Sequence, residues 1–384
     1  MDTPPLPLSL AFAAWMDPAL SDGDSHVWSP HSVATALALL ALGARGRTRE
    51  RWEWVLGAAP EHCLAELDPA VADEPGLDLA TANDIHVSAD TPLRPEFRAR
   101  FHERANATVR PADFAGDAPG VRARINDGVA RTTRGLVTDL LQPSDVTPET
   151  AMILVNVLWM KAQWTQPFDV ELTRDLPFHA PGGTHPVPTM HRTGPMHHAQ
   201  ANGWRMVTLA GRHGVSLDVL LPEDGQEAPG AADLAALYQR RRTEQVQLAL
   251  PRFRAESRRE LGEPLLGLGA TGLFDGDYGG ISDSPLYLGE IIHQAVFRVD
   301  ERGAEGAAAT AVAMPGSAPR ETAFTMTVDR PFLFVLRRRG AVLFLGRVTD
   351  PEDPVAPAER ERWREAPRLR TLATPDARRW EPRR

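Results

Sequence analysis

At 384 residues, with 42% hydrophobic and 24% charged side chains, the chain is long enough to bury a large core and has the composition of an ordinary globular protein. Its net charge of −9 argues against nucleic acid or an anionic membrane as a partner for the whole surface; the basic residues are scattered arginines, with Lys161 the sole lysine. A single cysteine, Cys63, excludes an intramolecular disulfide and fits a reducing compartment.

The N-terminal residues Met1 to Pro5 lack a positive leader region, and no apolar run is long enough to span a bilayer, so a cytoplasmic protein is expected. Pro5 to Met16 reads as a first helix. Ser29-Pro30-His31-Ser32 opens the next, with Ser29 as N-cap and Pro30 at the first helical position. Val33 to Leu42 is almost wholly apolar, which predicts a helix buried on all sides, stopped by Gly43 and Gly46. Ala80 to Ser88 alternates as a strand does, and Val121 to Thr133 has the pattern of an amphipathic helix closed near Gly135.

Thr150 to Trp159 is a near-continuous apolar run that predicts a central strand covered on both faces. Two strands are expected around Gly211 to Gly214. Val246 to Phe253 reads as another strand, and Glu256 to Leu268 as a helix. His293 to Asp300 is strand-like, and the last strands are Thr325 to Arg337 and Ala341 to Val348. Residues 352–384, rich in Pro, Arg and Glu, read as a loosely held tail after a domain spanning 1–351.

Between the strand-like segments lies Glu301 to Val312, a run of small residues followed by the turn-rich Met314 to Pro319. Small side chains at every second position can enter a packed sheet, yet the segment lacks the bulk to anchor itself. It reads as chain able to be loop in one state and strand in another. Other chemistry finds little support. Ser317 stands in Pro-Gly-Ser-Ala-Pro rather than Gly-x-Ser-x-Gly. His191, His197 and His198 read as surface histidines without the further ligands a metal requires. Arg240 to Arg242 reads as a solvated helix end.

Several segments, in order, resemble the serpin family. Ser29-Pro30-His31-Ser32-Val33 is similar to the motif opening its buried second helix, and Leu154-Val155-Asn156-Val157-Leu158-Trp159-Met160-Lys161 with Trp164 and Phe168 is similar to its central-strand signature. Ile125-Asn126, Thr133 to Val137, His293-Gln294-Ala295, Asp329 to Phe334 and Phe344 to Val348 extend the likeness, which covers about 6–351. The resemblance, to bacterial-type members, implies an α+β fold with a large mixed sheet A, two smaller sheets, eight or nine helices and an exposed reactive-centre loop.

By the same resemblance, Ser29, Ser32, Asn156 and His293 form a polar cluster beneath the opening of sheet A. Trp164 sits at the top of that opening. Arg252 pairs with Glu301 at the base of the loop, a contact worth only about 0–1 kcal/mol if exposed. The hinge comprises Gly303, Ala304, Glu305, Gly306, Ala307, Ala308 and Ala309, with Ala304 and Gly306 departing from the family's usual residues. The family's loop length, counted from Gly303, places the reactive bond between Ser317 and Ala318, with Met314 or Arg320 as alternatives. What this implies is a monomeric inhibitor, itself no enzyme, that traps an elastase- or subtilisin-like serine protease as a covalent acyl complex. It requires no cofactor or metal, and neither nucleic acid nor membrane is a partner. A non-inhibitory serpin acting as a binding or chaperone-like module is the competing reading.

Overall fold

The computed structural model describes residues 7–104, 107–223, 228–289, 291–304 and 324–355. The chain divides into two compact units, Met1–Pro354 and Val355–Arg384, the second lying, past Val355, outside the described residues. Within the first unit the Arg254 N–H donates to the Glu352 carbonyl at 2.9 Å.

The first half contains helices α1 (Leu8–Leu20), α2 (Pro30–Ala41), α3 (Gly46–Leu56), α4 (Pro60–Val71), α5 (Pro95–His102) and α6 (Phe114–Thr132). Strands β1 (His26–Trp28), β2 (Asp78–Ser88) and β3 (Ala107–Ala112) are interleaved with them. Next come β4 (Met152–Gln163), β5 (Arg174–Ala180), β6 (Gly183–Ala201), β7 (Trp204–Ala210), β8 (Val215–Pro222), α7 (Ala231–Gln239), β9 (Arg242–Pro251), β10 (Phe253–Glu260) and α8 (Gly262–Gly267). The chain closes with β11 (Ile292–Val299), β12 (Gly303–Ala304), β13 (Phe324–Thr327), β14 (Phe332–Arg338) and β15 (Ala341–Val348).

Among the described residues these strands form two sheets. The six-stranded sheet runs β10-β11-β12-β4-β2-β3. The other has nine strands in the order β1-β15-β14-β8-β7-β6-β9-β13, with β5 also on β6. The two smaller sheets anticipated from the sequence run together here, because the long β6 pairs with β5, β7 and β9 along its length.

Every residue of α2 is buried, as its apolar sequence dictates. Ser29 caps it, its Oγ accepting the Ser32 N–H at 3.1 Å, with Pro30 in the first turn, where a missing N–H costs nothing. The strand period of two divides β4 between two cores. Ile153, Val155 and Val157 join Val121, Ile125 and Val129 of α6 in one cluster, while Met152, Leu154 and Met160 belong to the main core. The expected helix from Glu256 is corrected: Phe253 to Glu260 is a strand in full register with β11. Its charged residues favour a helix locally, but Phe253, Ala255 and Ser257 alternate inward and the pairing prevails. Pro331 likewise interrupts the predicted strand Thr325 to Arg337, leaving β13 and β14.

Candidate functional site

Among the described residues, the six-stranded sheet has an unfinished seam. On one side β4 is fully paired with β2, and β11 is fully paired with β10. Between β4 and β11 the short β12 occupies only the top: Gly303 is registered with Gln163, and Ala304 with both Ala162 and Val299. Below it, the one bridge between β4 and β11 among the described residues is the parallel pair Leu154 and Ile291. A small cleft lies between this part of the sheet and α6 with the segment that follows it, lined by Asn156 and Trp159 of β4, Gln294 and Val296 of β11, and Val129 and Leu136.

Polar atoms along this seam are left over. Asn156 Oδ1, Trp159 Nε1, Gln294 Oε1 and Arg298 Nε are buried without a hydrogen-bond partner among the described residues.

At the top, sequence order explains how the groups converge. β9 lies in the nine-stranded sheet and β10 in the six-stranded one, so Arg252 stands at the crossing between them. The β10–β11 register ends at Phe253 and Val299, which brings the turn Asp300 to Arg302 alongside. Arg252 Nε donates to Glu301 Oε1 at 2.8 Å and Oε2 at 3.0 Å, and Nη2 donates to Oε1 at 2.6 Å. The side chains are only 4% and 0% exposed. The pair is therefore buried and bidentate, enclosed where the two sheets meet, so the low value expected of an exposed pair does not apply.

Thr173 Oγ1 adds a hydrogen bond to Glu301 Oε1 at 2.6 Å. Trp164, buried, donates its indole N–H to the Asp300 carbonyl and its backbone N–H to Arg302, both at 3.0 Å. Asp300 caps its own turn, accepting the N–H of Arg302 at 2.8 Å and of Gly303 at 3.1 Å. Burial pushes its carboxyl up to about 6, with the Glu301 charge adding to the effect and the two N–H donors opposing it. Thr173 and Asp300 escaped sequence reasoning; the signal for Asp300 was an Asp two residues before Arg302-Gly303, a local turn pattern.

Lower down, the polar cluster is only partly joined. The Ser29 N–H donates to His293 Nε2 at 2.9 Å, and Ser32 bonds Ser29 as described. Burial lowers the His293 imidazole to about 4, so it is neutral and its Nε2 is the acceptor. Asn156 does not bond His293. Its amide donates to Asn83 Oδ1, the residue opposite it on β2. The Leu154–Ile291 bridge sets a parallel register in which His293 lies level with Asn156, two residues further along each strand.

Among the groups read as bland, His198 differs from expectation: it is buried, bonded to Glu244 at 3.0 Å and stacked on Phe324 at 4.2 Å. Glu305 to Ala309, Met314, Ser317, Ala318 and Arg320 lie outside the described residues. No helix among the described residues is long and apolar enough to cross a membrane.

A family model described as Serpin (serine protease inhibitor) matches residues 11–351. An uncharacterized serpin-like protein of Thermococcus kodakarensis is 31% identical over 346 residues, covering 85% of this chain and 80% of the relative. The alpha-1-antiproteinase of Rattus norvegicus is 32% identical, covering 89% and 87%. Among solved structures, Serpin48 of the insect Tenebrio molitor superposes with a TM-score of 0.77 at 26% identity, over 90% of this chain and 97% of the other.

Proposed function

The chain belongs to the serpin family, and from that premise we propose that it inhibits a serine protease by presenting the segment after Gly303 as bait and then drawing it into the β4–β11 seam. The observation that carries this reading is the position of Gly303 and Ala304, already paired as the first two residues of a strand between β4 and β11. The chain that follows need only continue downward to pair with β4 on one side and β11 on the other.

In this reading the protease serine attacks the carbonyl carbon of Ser317. The bond to the Ala318 nitrogen breaks, the departing amine takes a proton from the protease histidine, and an acyl ester joins protease to Ser317. The freed segment inserts between β4 and β11 and carries the protease along. Deacylation needs reacting groups held within about an ångström, so a dragged and distorted protease stalls as the ester. The driving force is the gain of two ladders of backbone hydrogen bonds and burial of the small hinge side chains, a loop-insertion transition that releases stored strain. Small residues around the bond favour shallow-pocket proteases of elastase or subtilisin type.

The test is electrophoresis in SDS after incubation with proteases of both types. A covalent band of summed mass is expected; cleavage without such a band at every ratio would leave a non-inhibitory binding module as the function.

A further inference from the structure

The turn between β11 and β12 is pinned to the rest of the molecule by three successive carbonyls. That of Asp300 accepts the Trp164 indole N–H at 3.0 Å, that of Glu301 accepts the Phe168 N–H at 2.9 Å, and that of Arg302 accepts the Trp164 N–H at 3.0 Å. The Glu301 side chain is tied as well, to Arg252 and Thr173. None of these bonds involves Gly303 or Ala304, so the turn is held whether or not β12 lies on β4.

What joins the pinned turn to β12 is Asp300. Its Oδ1 accepts the N–H of Arg302 at 2.8 Å and of Gly303 at 3.1 Å, and its own N–H donates to the Gly303 carbonyl at 3.0 Å. Both backbone polar groups of Gly303 are thus bound by one residue. Asp300 is only 6% exposed, so water does not replace a donor it loses. A carboxylate also accepts such bonds about twice as strongly as a neutral oxygen does.

Glu301 and Arg302 flank Asp300 in the turn and act on its charge in opposite directions. Arg252 stands behind Glu301, with Asp353 at 3.6 Å from it. From the adjoining ends of β10 and β11 come Arg254 and Arg298, registered with each other, Arg254 being paired with Glu256 and Glu352. Trp164, Phe168 and β12 bring no charge. Burial pushes the Asp300 carboxyl up to about 6, which places its change of charge within reach of ordinary buffers.

The direction of any pH effect depends on where Asp300 goes. Unfolding delivers it to water, which favours the carboxylate, so its charge opposes the fold as a whole above pH 6. Release of β12 alone is different: the pinned turn keeps Asp300 buried and takes away the Gly303 donor. The carboxylate suffers more from that loss than the neutral acid, so the docked state has the lower value of the two. Docking of β12 is therefore favoured while Asp300 is charged, and that advantage fades as pH falls through about 6.

We propose that Asp300 is a positioning residue for loop insertion: its carboxylate holds Gly303 and Ala304 at the head of the seam, and protonation loosens them, so that trapping weakens in acid. The effect on trapping rests on the inhibitory reading; the hold on Gly303 does not. Asp300 touches no reacting atom. It sets how often the first residues of the strand are in place when the bait is cut, and insertion is slowed in proportion to that population.

The test uses the full chain, Asp300→Asn, which keeps an acceptor oxygen and cannot titrate, and Asp300→Ala, which removes the acceptor. With one elastase-type protease, the ratio of covalent complex to cleaved inhibitor is read at about pH 7.5 and about pH 5. Dividing the parental ratio by that of Asp300→Asn at each pH cancels the pH dependence of the protease. The quotient should fall about fivefold in acid, as the loss of one charge-assisted hydrogen bond provides. Asp300→Ala should trap less than Asp300→Asn at both values. Hydrogen exchange of the Gly303 amide, corrected for its intrinsic rate, should show the same step in the parent and none in Asp300→Asn. A quotient that does not change with pH, or Asp300→Ala trapping as well as Asp300→Asn, would overturn the proposal. Should Asp300→Ala fail to fold, the quotient and the exchange decide. Absence of covalent complex at either pH would sink the inhibitory reading instead, and the Gly303 amide would still judge Asp300: equal steps in the parent and Asp300→Asn would overturn its role.

Discussion

The guanidinium of Arg252 meets the carboxylate of Glu301 through three hydrogen bonds of 2.6 to 3.0 Å, at the crossing between the two sheets. Both charges are desolvated, so removing one strips the other of its main partner, although Arg252 keeps Asp353 at 3.6 Å and Glu301 keeps the Thr173 hydroxyl. Glu301→Met is expected to destabilise the uncleaved protein by about 3–5 kcal/mol, and Arg252→Met by a similar amount. The double variant Arg252→Met/Glu301→Met should recover part of that loss, since two apolar side chains avoid the stranded charge. Denaturant melts of the three variants check this; additive losses would show that the pair does not act as a unit.

Gly303 sits where no side chain fits. A Cβ there would lie 2.0 Å from the Ala162 carbonyl oxygen and 3.2 Å from the Gln163 Cα, both backbone atoms of β4 that cannot swing aside. Gly303→Ala should therefore lift Gly303 and Ala304 off β4 at a cost of about 1–3 kcal/mol. Hydrogen exchange offers the measurement: the Ala304 amide should lose protection while amides of β2 keep theirs. Unchanged protection at Ala304 would mean that β4 yields instead.

How much of this was readable beforehand depends on which force decides. The apolar run of β4 and the almost wholly apolar α2 declare themselves because burial alone fixes them. Phe253 to Glu260 does not: its local preference is helical, and only the ladder with β11 makes it a strand. The pairing of Arg252 with Glu301, 49 positions later, was carried only by the family resemblance, and its burial by nothing local: the turn after β11 brings the two together where the sheets meet. Asn156 was legible as a polar residue in an apolar strand, but its partner was not. Asn83 is opposite it through the β2–β4 register, a contact that no local pattern encodes.

Stability should fall on acidification. His31, His86 and His293 are each held neutral by burial, with values lowered from 6.5 to about 4. Between those limits the unfolded chain binds the protons and the folded chain does not, so their contribution is present above pH 6.5 and is lost as pH falls through 4. Asp300 acts in the opposite sense. Its folded value, about 6 against 3.8, means that its contribution is present at low pH and lost as pH rises through 6. Three groups against one predict a urea midpoint that declines from pH 6.5 to 4.5. Protonating His293 Nε2 also removes the acceptor for the Ser29 N–H. His293→Gln keeps an acceptor and cannot titrate, so its midpoint should decline less steeply; an identical slope would remove His293 from the account.

Ala304 provides the sharpest test of insertion. It is 2% exposed and registered with Ala162 on one side and Val299 on the other. An arginine at this position would carry its charge into that interior without a designed partner, so it would displace the first residues of the strand and with them the start from which insertion proceeds. Ala304→Arg is therefore expected to leave cleavage by the target protease intact while lowering the fraction trapped by about tenfold or more. Ala304→Ser, small and uncharged, should trap as the parent does. The ratio of covalent complex to cleaved inhibitor on the same gel reads both. Trapping by Ala304→Arg at the parental ratio would show that the chain beyond Gly303 does not enter the seam between β4 and β11, and the proposed mechanism would fall with it.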